Sequence, residues 1–522
     1  MPLPAGGTWP PQHLNPIYQH YGVLDAWYRG DDDALAILYG AHGDRPANRP
    51  STYRGGIVGT MARWFWGQPT PQGERRTKLH VPVASDIATM SSDLLFSEPP
   101  SLTVETVATQ ERIEELVEDG LQATLLEGAE VGAALGGYYL RAVWDTQVAE
   151  QPWLAVVHAD AAVPEWRWGK LAAVTFWRVV EQDDQTCLIH LERHEPGYIL
   201  HGLYRGRPGN LGDQVPLTDH PETAGLQPVV QTRIDRLTAV YVPNMRPNRT
   251  WRNYPAGANL GRSDFDGPVL GLMDALDETY TSWMRDVRLA KARLIVPSSY
   301  LQSNGPGRGA SFDLDRELYE GLTILGEGDR MEISATQFGI RTVEHRDTAA
   351  ELLAAILRAT GYSAQSFGLS GDVAVTATEV SAKERRSLTT RGRKAVYSGP
   401  PLADAIEMLL LLETEVFGST IPAERPTVVF GDSVSPDLAQ LATTAELMRR
   451  AEAASDETLV RMLHPDWDET EVQAEVERIA DARPAPIADP FALPGEMTGP
   501  DDGGDPEAEG QDGPPSLPQT VK

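Results

Sequence analysis

The side chains that could do chemistry in this 522-residue chain are scattered, and few stand at a working spacing. His190 and His194 are four apart, a step that puts two metal ligands on one face of a helix. Their neighbours alternate like a strand instead, so the rings share a face only by alternation and a partly exposed sheet surface is expected. Asp31-Asp32-Asp33 and the trio Asp313, Asp315 and Glu317 offer the oxygens a divalent cation takes, but read as solvated loop charge. Gly305-Pro306-Gly307-Arg308-Gly309 has the glycines of a phosphate cradle without the Lys-Ser/Thr that contacts phosphate and magnesium. Gly368-Leu369-Ser370-Gly371 lacks the spacing of a nucleophile elbow, and no H-E-x-x-H occurs. The sequon Asn248-Arg249-Thr250 matters only in a secreted chain, and MPLPAGGTWPPQ has neither the basic start nor the apolar core of a leader. No catalytic constellation, cofactor site or metal site is therefore expected.

Charge narrows the classes further. The formal net charge is −30 and the pI about 4.7, so the chain should not grip nucleic acid non-specifically. One segment departs from this: Lys383, Arg385, Arg386, Arg391, Arg393 and Lys394 against Glu379 and Glu384 leave it at +4. The single cysteine, Cys187, excludes an intramolecular disulfide and fits a reducing site of synthesis. No run of about 18 apolar residues is present, so no membrane span is expected.

The elements that must position these groups centre on residues 261–293. Phe265, Val269, Leu272, Met273, Leu276, Tyr280, Trp283, Met284 and Val287 recur in steps of three and four, which predicts one face of a long helix. Ser263 and Asp266 form a capping-box-like start, while Pro268 and Gly271 make the first turns irregular. At full length the rod would span about 45 Å, with Trp283 and Met284 in buried contacts. Upstream, helices are expected at 21–28, 78–99 and 111–135. Strands are expected at 138–144, 153–158, 174–180, 186–193 and 197–204, giving an α+β body. Downstream, apolar pieces at 294–296, 322–325 and 331–333 surround the flexible loop 303–311 in a small β-rich insert. A helix starting at 348 is boxed by Thr348 and Glu351 and stopped by Gly361. Residues 362–376 form a loop too long for a plain helix connection. A long helix runs from 378 to 396, breaks at Gly399-Pro400-Pro401 and resumes to 417. A strand at 426–430 and three helices over 435–481, capped by Ser435, Ser455 and Asp468, complete the folded part. Residues 484–522 are too rich in proline and acid to bury a core.

This order of pieces resembles the portal proteins of tailed double-stranded-DNA bacteriophages, most of all the branch with long non-contractile tails. The local strings that carry the resemblance are 82–99 (PVASDIATMSSDLLFSEP), 131–144 with Gly136-Gly137, Leu260-Gly261-Arg262-Ser263-Asp264, Thr376-Ala377-Thr378-Glu379 and Ser435-Pro436-Asp437. It covers residues 75–482. It implies an α+β, ring-forming portal-type fold: N-terminal arm 1–75, α+β wing 76–262, stem helices 263–293 and 346–361, and β-rich clip 294–345. The tunnel loop is 362–376, the long kinked wing helix and strand 377–434, the helical crown 435–482 and the acidic tail 483–522.

The function implied is a ring channel of about twelve copies at one capsid vertex, for DNA packaging and ejection. The implied partners are further copies of the chain, a terminase motor, capsid and scaffolding proteins, a head-completion adaptor and double-stranded DNA in transit, with no membrane. The subunit would be made in the bacterial host cytoplasm and end in the virion. Gly368, Ser370, Gly371, Asp372 and Val373 would face DNA from the tunnel loop. Gly305, Pro306, Gly307, Arg308 and Gly309 would dock partners at the clip. The six cations of 383–394 would form a basic belt towards DNA or, the preferred reading, pair with acidic neighbours across the ring. A minor capsid or tail component, or an acidic enzyme, are the alternatives.

Overall fold

The computed structural model describes residues 3–41, 78–183, 185–290, 293–295, 302–303, 310–311, 334–336, 340–368, 377–431, 438–451, 453–464, 467 and 469–481. The chain divides into two units, Met1–Ser435 and Pro436–Lys522. Helix and sheet are both extensive in the first, so the fold class is α+β, as the patterns predict.

The first unit begins with α1 (Asn15–Arg29), which buries Ile17, Tyr21, Leu24 and Trp27 at helical spacing and stops at Gly30. Helix α2 (Asp32–Ala41) follows, with Asp32 and Asp33 in its first turn. Asp31 accepts from the Ala34 amide, so the acid triplet starts a helix instead of decorating a loop. Helix α3 (Val83–Phe96) buries Ile87, Ser91 and Leu95. After β1 (Ser101–Thr103), α4 (Val107–Leu116) passes through a π turn at Val117–Leu121 into α5 (Gln122–Leu135). Gly120 sits in that turn at φ 100°, which explains why one helical zone becomes two. Gly136 ends α5 at φ 93°, where a Cβ would lie 2.6 Å from the Gly261 carbonyl oxygen. Two of the strings carrying the resemblance are thus in backbone contact.

Two antiparallel sheets follow. Strand β2 (Gly137–Val143) lies between β3 (Trp153–His158) and β10 (Ala239–Pro243). The larger sheet runs β4 (Ala162–Arg167), β5 (Lys170–Gln182), β6 (Cys187–Glu195), β7 (Tyr198–Arg207) and β8 (Asn210–Val215), with β9 (Val229–Gln231) also on β7. The histidines of β6 are buried, contrary to the partly exposed face expected. His190 stacks on His201, with Nε2 and Nδ1 3.2 Å apart. His194 bonds Thr238 at 2.6 Å and the Glu192 carboxylate at 2.8 Å, and Glu192 also pairs with Arg141 of β2. Polar alternation marked a shared face correctly. It could not reveal that β2 and the Thr238 segment cover that face.

Helix α6 (Pro268–Leu289) is shorter than 261–293, because Gly267 holds φ 72° ahead of Pro268 and residues 293–295 turn into β11 (Arg293–Ile295). It is tied to the body by Asp277, which accepts from the Val81 amide at 2.9 Å and meets His80 at 3.0 Å. Strand β11 pairs with β14 (Ser334–Thr336), and β12 (Gln302–Ser303) with β13 (Ala310–Ser311). The strand candidates at 322–325 and 331–333 lie outside the described residues. Helix α7 (Thr342–Thr360) starts six residues earlier than the capping box suggested and ends at Gly361 as predicted.

Helix α8 (Ala377–Glu415) is continuous through Pro400 and Pro401, where a break was expected. Prolines deprive the carbonyls four residues back of their donors. Val396, whose carbonyl Pro400 leaves without its helical donor, is exposed. An 18-residue window within Glu384–Glu415 is apolar and long enough to cross a membrane by length and composition, yet more than half of that window is buried. Leu402, Ile406, Leu409 and Leu412 share a core with α4, α5 and β2. Strand β15 (Thr427–Val429) returns to pair with β1.

In the second unit, α9 (Leu438–Arg450), α10 (Asp456–Leu463) and α11 (Glu469–Asp481) bury Ala445, Leu459, Val460 and Val472. Ser455 caps α10 by accepting from the Thr458 amide at 3.2 Å. Ser435 and Asp468, the other predicted caps, lie outside the described residues.

Candidate functional site

Gly305–Gly309 and Ser370–Val373 lie outside the described residues, and the structure shows what holds their flanks. Gln302 and Ser303 pair with Ser311 and Ala310, so residues 304–309 join two bonded strands. Arg293 to Ile295 pair with Thr336 to Ser334, which brings the end of α6 towards the start of α7. Asp286 of α6 accepts from Arg341 Nη2 at 2.8 Å and meets His345 Nε2 of α7 at 3.0 Å. The bonds from His345 and Arg341 hold the Asp286 carboxyl below its usual range. Trp283 lies flat against His345, with ring centres 6.1 Å apart. Met284 is 41% exposed, so within one chain only Trp283 of the expected pair is partly covered.

The loop after α7 is pinned before it reaches Gly368. Gly361 turns the chain at φ 92°, and its carbonyl accepts from Thr390 of α8 at 2.6 Å. The Ser363 amide donates to Ser387 Oγ at 2.9 Å, and the hydroxyls of Ser363, Ser366 and Ser387 close a triangle. A short 3-10 turn, Gln365–Phe367, ends at Gly368 with φ 65°. Residues 362–368 therefore pack against α8, and residues 369–376 of the expected loop lie outside the described residues.

The anchor beneath this segment is a buried polar cluster. Tyr362 is 2% exposed, and its hydroxyl donates to Asp264 Oδ2 at 2.8 Å. Lys394 of α8 donates to the same oxygen at 2.5 Å and also to Ser91 of α3. Asn244 donates to Asp264 Oδ1 at 2.8 Å, and the Asp264 amide donates to the Ala133 carbonyl at 2.9 Å. Burial pulls the Lys394 ammonium below its ordinary range, and the Asp264 carboxylate opposes that pull. Asp264 thus links helices α3 and α5, the Asn244 loop, the residue after the Gly361 stop of α7 and the long helix α8.

The six cations of the expected belt are separated by this packing. Lys394 is spent on Asp264 inside the chain, so it neither faces DNA nor pairs across a ring. Arg391 is also buried; its Nε donates to the Leu94 carbonyl at 2.6 Å and its Nη2 to that of Gly431. Arg386 is exposed and donates to the Arg358 carbonyl, while Arg385 and Arg393 face solvent. The Lys383 side chain lies outside the described residues. Helical geometry explains the division, since Arg391 and Lys394 are three apart on the inner face. Asp264 stands in one of the strings that carry the resemblance, between Arg262 and Asp266. In the sequence it is one of several acids near the start of the long helix, and nothing local marks it as the buried one.

Among the described residues no group of His, Cys, Asp and Glu is placed to hold a metal ion. No family model and no curated protein matches the chain. Among solved structures it is similar to a chain of "Virion of native gene transfer agent (GTA) particle", at 13% identity and TM-score 0.39 over 78% of this chain and 99% of that one. It is similar to a chain of "Neck of native GTA particle computed with C12 symmetry", at 12% identity and TM-score 0.38 over 80% and 92%. A chain of "Neck of empty GTA particle computed with C6 symmetry" is similar at 14% identity and TM-score 0.38, over 85% of this chain and 98% of that one.

Proposed function

We propose that this chain is one subunit of a portal-type ring, a channel at a capsid vertex through which double-stranded DNA is packaged and ejected. The observation that carries this is the order and anchoring of elements. Helices α6 and α7 pack together and bear short paired strands between them. Helix α7 then leads through a pinned turn into the 39-residue α8, which folds back into the α+β body. Element order carries the proposal, not the weak likeness to particle and neck chains.

In this role the subunit's work is mechanical. Residues 304–309 dock the packaging motor and later the adaptor. Gly368, Ser370, Gly371, Asp372 and Val373 border the channel. The acidic balance keeps phosphate contacts weak, so DNA slides. The chain itself hydrolyses no nucleotide, and energy comes from the separate terminase motor. Capsid and scaffolding proteins contact the α+β body.

The test is mass by light scattering and a negative-stain image of the purified chain. Closed rings of about a dozen subunits are expected. A monodisperse monomer at micromolar concentration refutes the proposal, and so does nucleotide turnover that survives contaminant controls.

A further inference from the structure

The turn between β4 and β5 carries a residue that local chemistry disfavours. Arg167 pairs with Lys170, leaving Trp168 and Gly169 as a two-residue loop. Both have positive φ, 50° and 81°, the pattern of a type I′ turn. Asn-Gly suits that turn; an L-tryptophan in the left-handed region is strained. Trp168 is also fully exposed, at 104% of its reference surface. Arg167 and Lys170 beside it are exposed and have no ion pair among the described residues. An indole held in water by a strained turn between two free cations has the composition of an interface anchor.

A matching cleft exists on the same chain. It encloses about 400 Å³ beside the π turn that joins α4 to α5. Leu116, Leu121, Trp153 and Leu154 line it with apolar surface, and Asp119 and Glu150 stand exposed in its lining. Neither acid has an ion-pair partner among the described residues. The cation in the wall, Arg112, is already matched by Glu413 and Glu115. The cleft has room for one indole with the stems of its basic neighbours.

We propose that Trp168 of one copy plugs the cleft between Leu116 and Trp153 of a second copy, with Arg167 and Lys170 against Asp119 and Glu150. Plug and socket are different patches of one surface, so the contact is heterologous and repeats from copy to copy. It rests on the ring proposed above and names one of its joints. In a chain of net charge −30, two free cations beside an exposed indole meet their complement in the chain's own acidic socket.

Three variants of the full chain test this. Trp168→Asn should leave the monomer as stable as before or slightly more so, since asparagine suits the turn, yet weaken each contact about thirtyfold or more. Arg167→Glu with Lys170→Glu should weaken assembly, and adding Asp119→Lys with Glu150→Lys should restore it. Trp168→Cys with Thr124→Cys, the latter in the lining of the cleft, should give an oxidised ladder of covalent multimers; the native Cys187 is buried and should stay silent. If the wild type forms rings, yet the cysteine pair gives no ladder and Trp168→Asn assembles normally, the joint is wrong while the ring stands. If the wild type never assembles, the ring fails and the joint with it.

Discussion

Removing the Lys394 ammonium gives the sharpest test of the anchor. Lys394→Met keeps the length and apolar stem and deletes only the charge. The Asp264 carboxylate is then left buried, with Tyr362 and Asn244 as side-chain donors. The partners are 2% and 0% exposed, so water cannot take over. Stranding one member of such a pair costs about 3–5 kcal/mol. A unit of this length unfolds with an entropy of about 0.9 kcal/mol per kelvin, so the melting point should fall by about 4 °C. Calorimetry at one scan rate measures this, and exchange of the amides of 361–368 and 387–398 locates it. Adding Asp264→Asn should recover most of the loss, because no charge then remains buried. A single variant within about 1 °C of wild type, or a double variant worse than the single, would refute the buried pair as the anchor.

Other outcomes follow from the same chemistry. Burial and the neighbouring His201 lower the His190 pKa to about 4, from an ordinary 6.5. The unfolded chain therefore binds a proton that the folded chain refuses, and stability falls as pH drops from 6.5 to 4, by at most about 3 kcal/mol. His190→Gln should flatten that limb of a melting-point profile; an unchanged slope rejects the assignment. Burial pushes the Glu192 carboxyl up, but the bond from His194 and the Arg141 charge outweigh it and hold it low. That contribution is lost only in stronger acid. Replacing Asp372 with lysine should slow DNA packaging, more so at low salt where screening is weak; equal DNA per head at two ionic strengths counts against a channel position. Deleting 304–309 should leave rings intact on light scattering but abolish packaging or head completion, and normal particle yield would remove the docking role.

Local periodicity was enough to place most of the chain's elements. The stripe Ile87, Leu94 and Leu95 marked α3, because side-chain period follows from backbone geometry, and the short β-forming run 153–158 matches β3 residue for residue. Gly361 as a helix stop was equally legible, since only glycine takes φ 92° without penalty. Three matters were decided elsewhere. Pro400 and Pro401 lie inside a helix because the packed core around Leu402 and Ile406 outweighs the local penalty. His190 and His194 became core because a second sheet covers them, and periodicity reports a shared face but not its cover. Arg391 and Lys394 looked like members of a belt because charge is counted along the chain, whereas Lys394 answers to an aspartate 130 positions away. Composition set the sign of the chain's charge. Which charges face water, and which hold the fold together, was settled only when distant segments met.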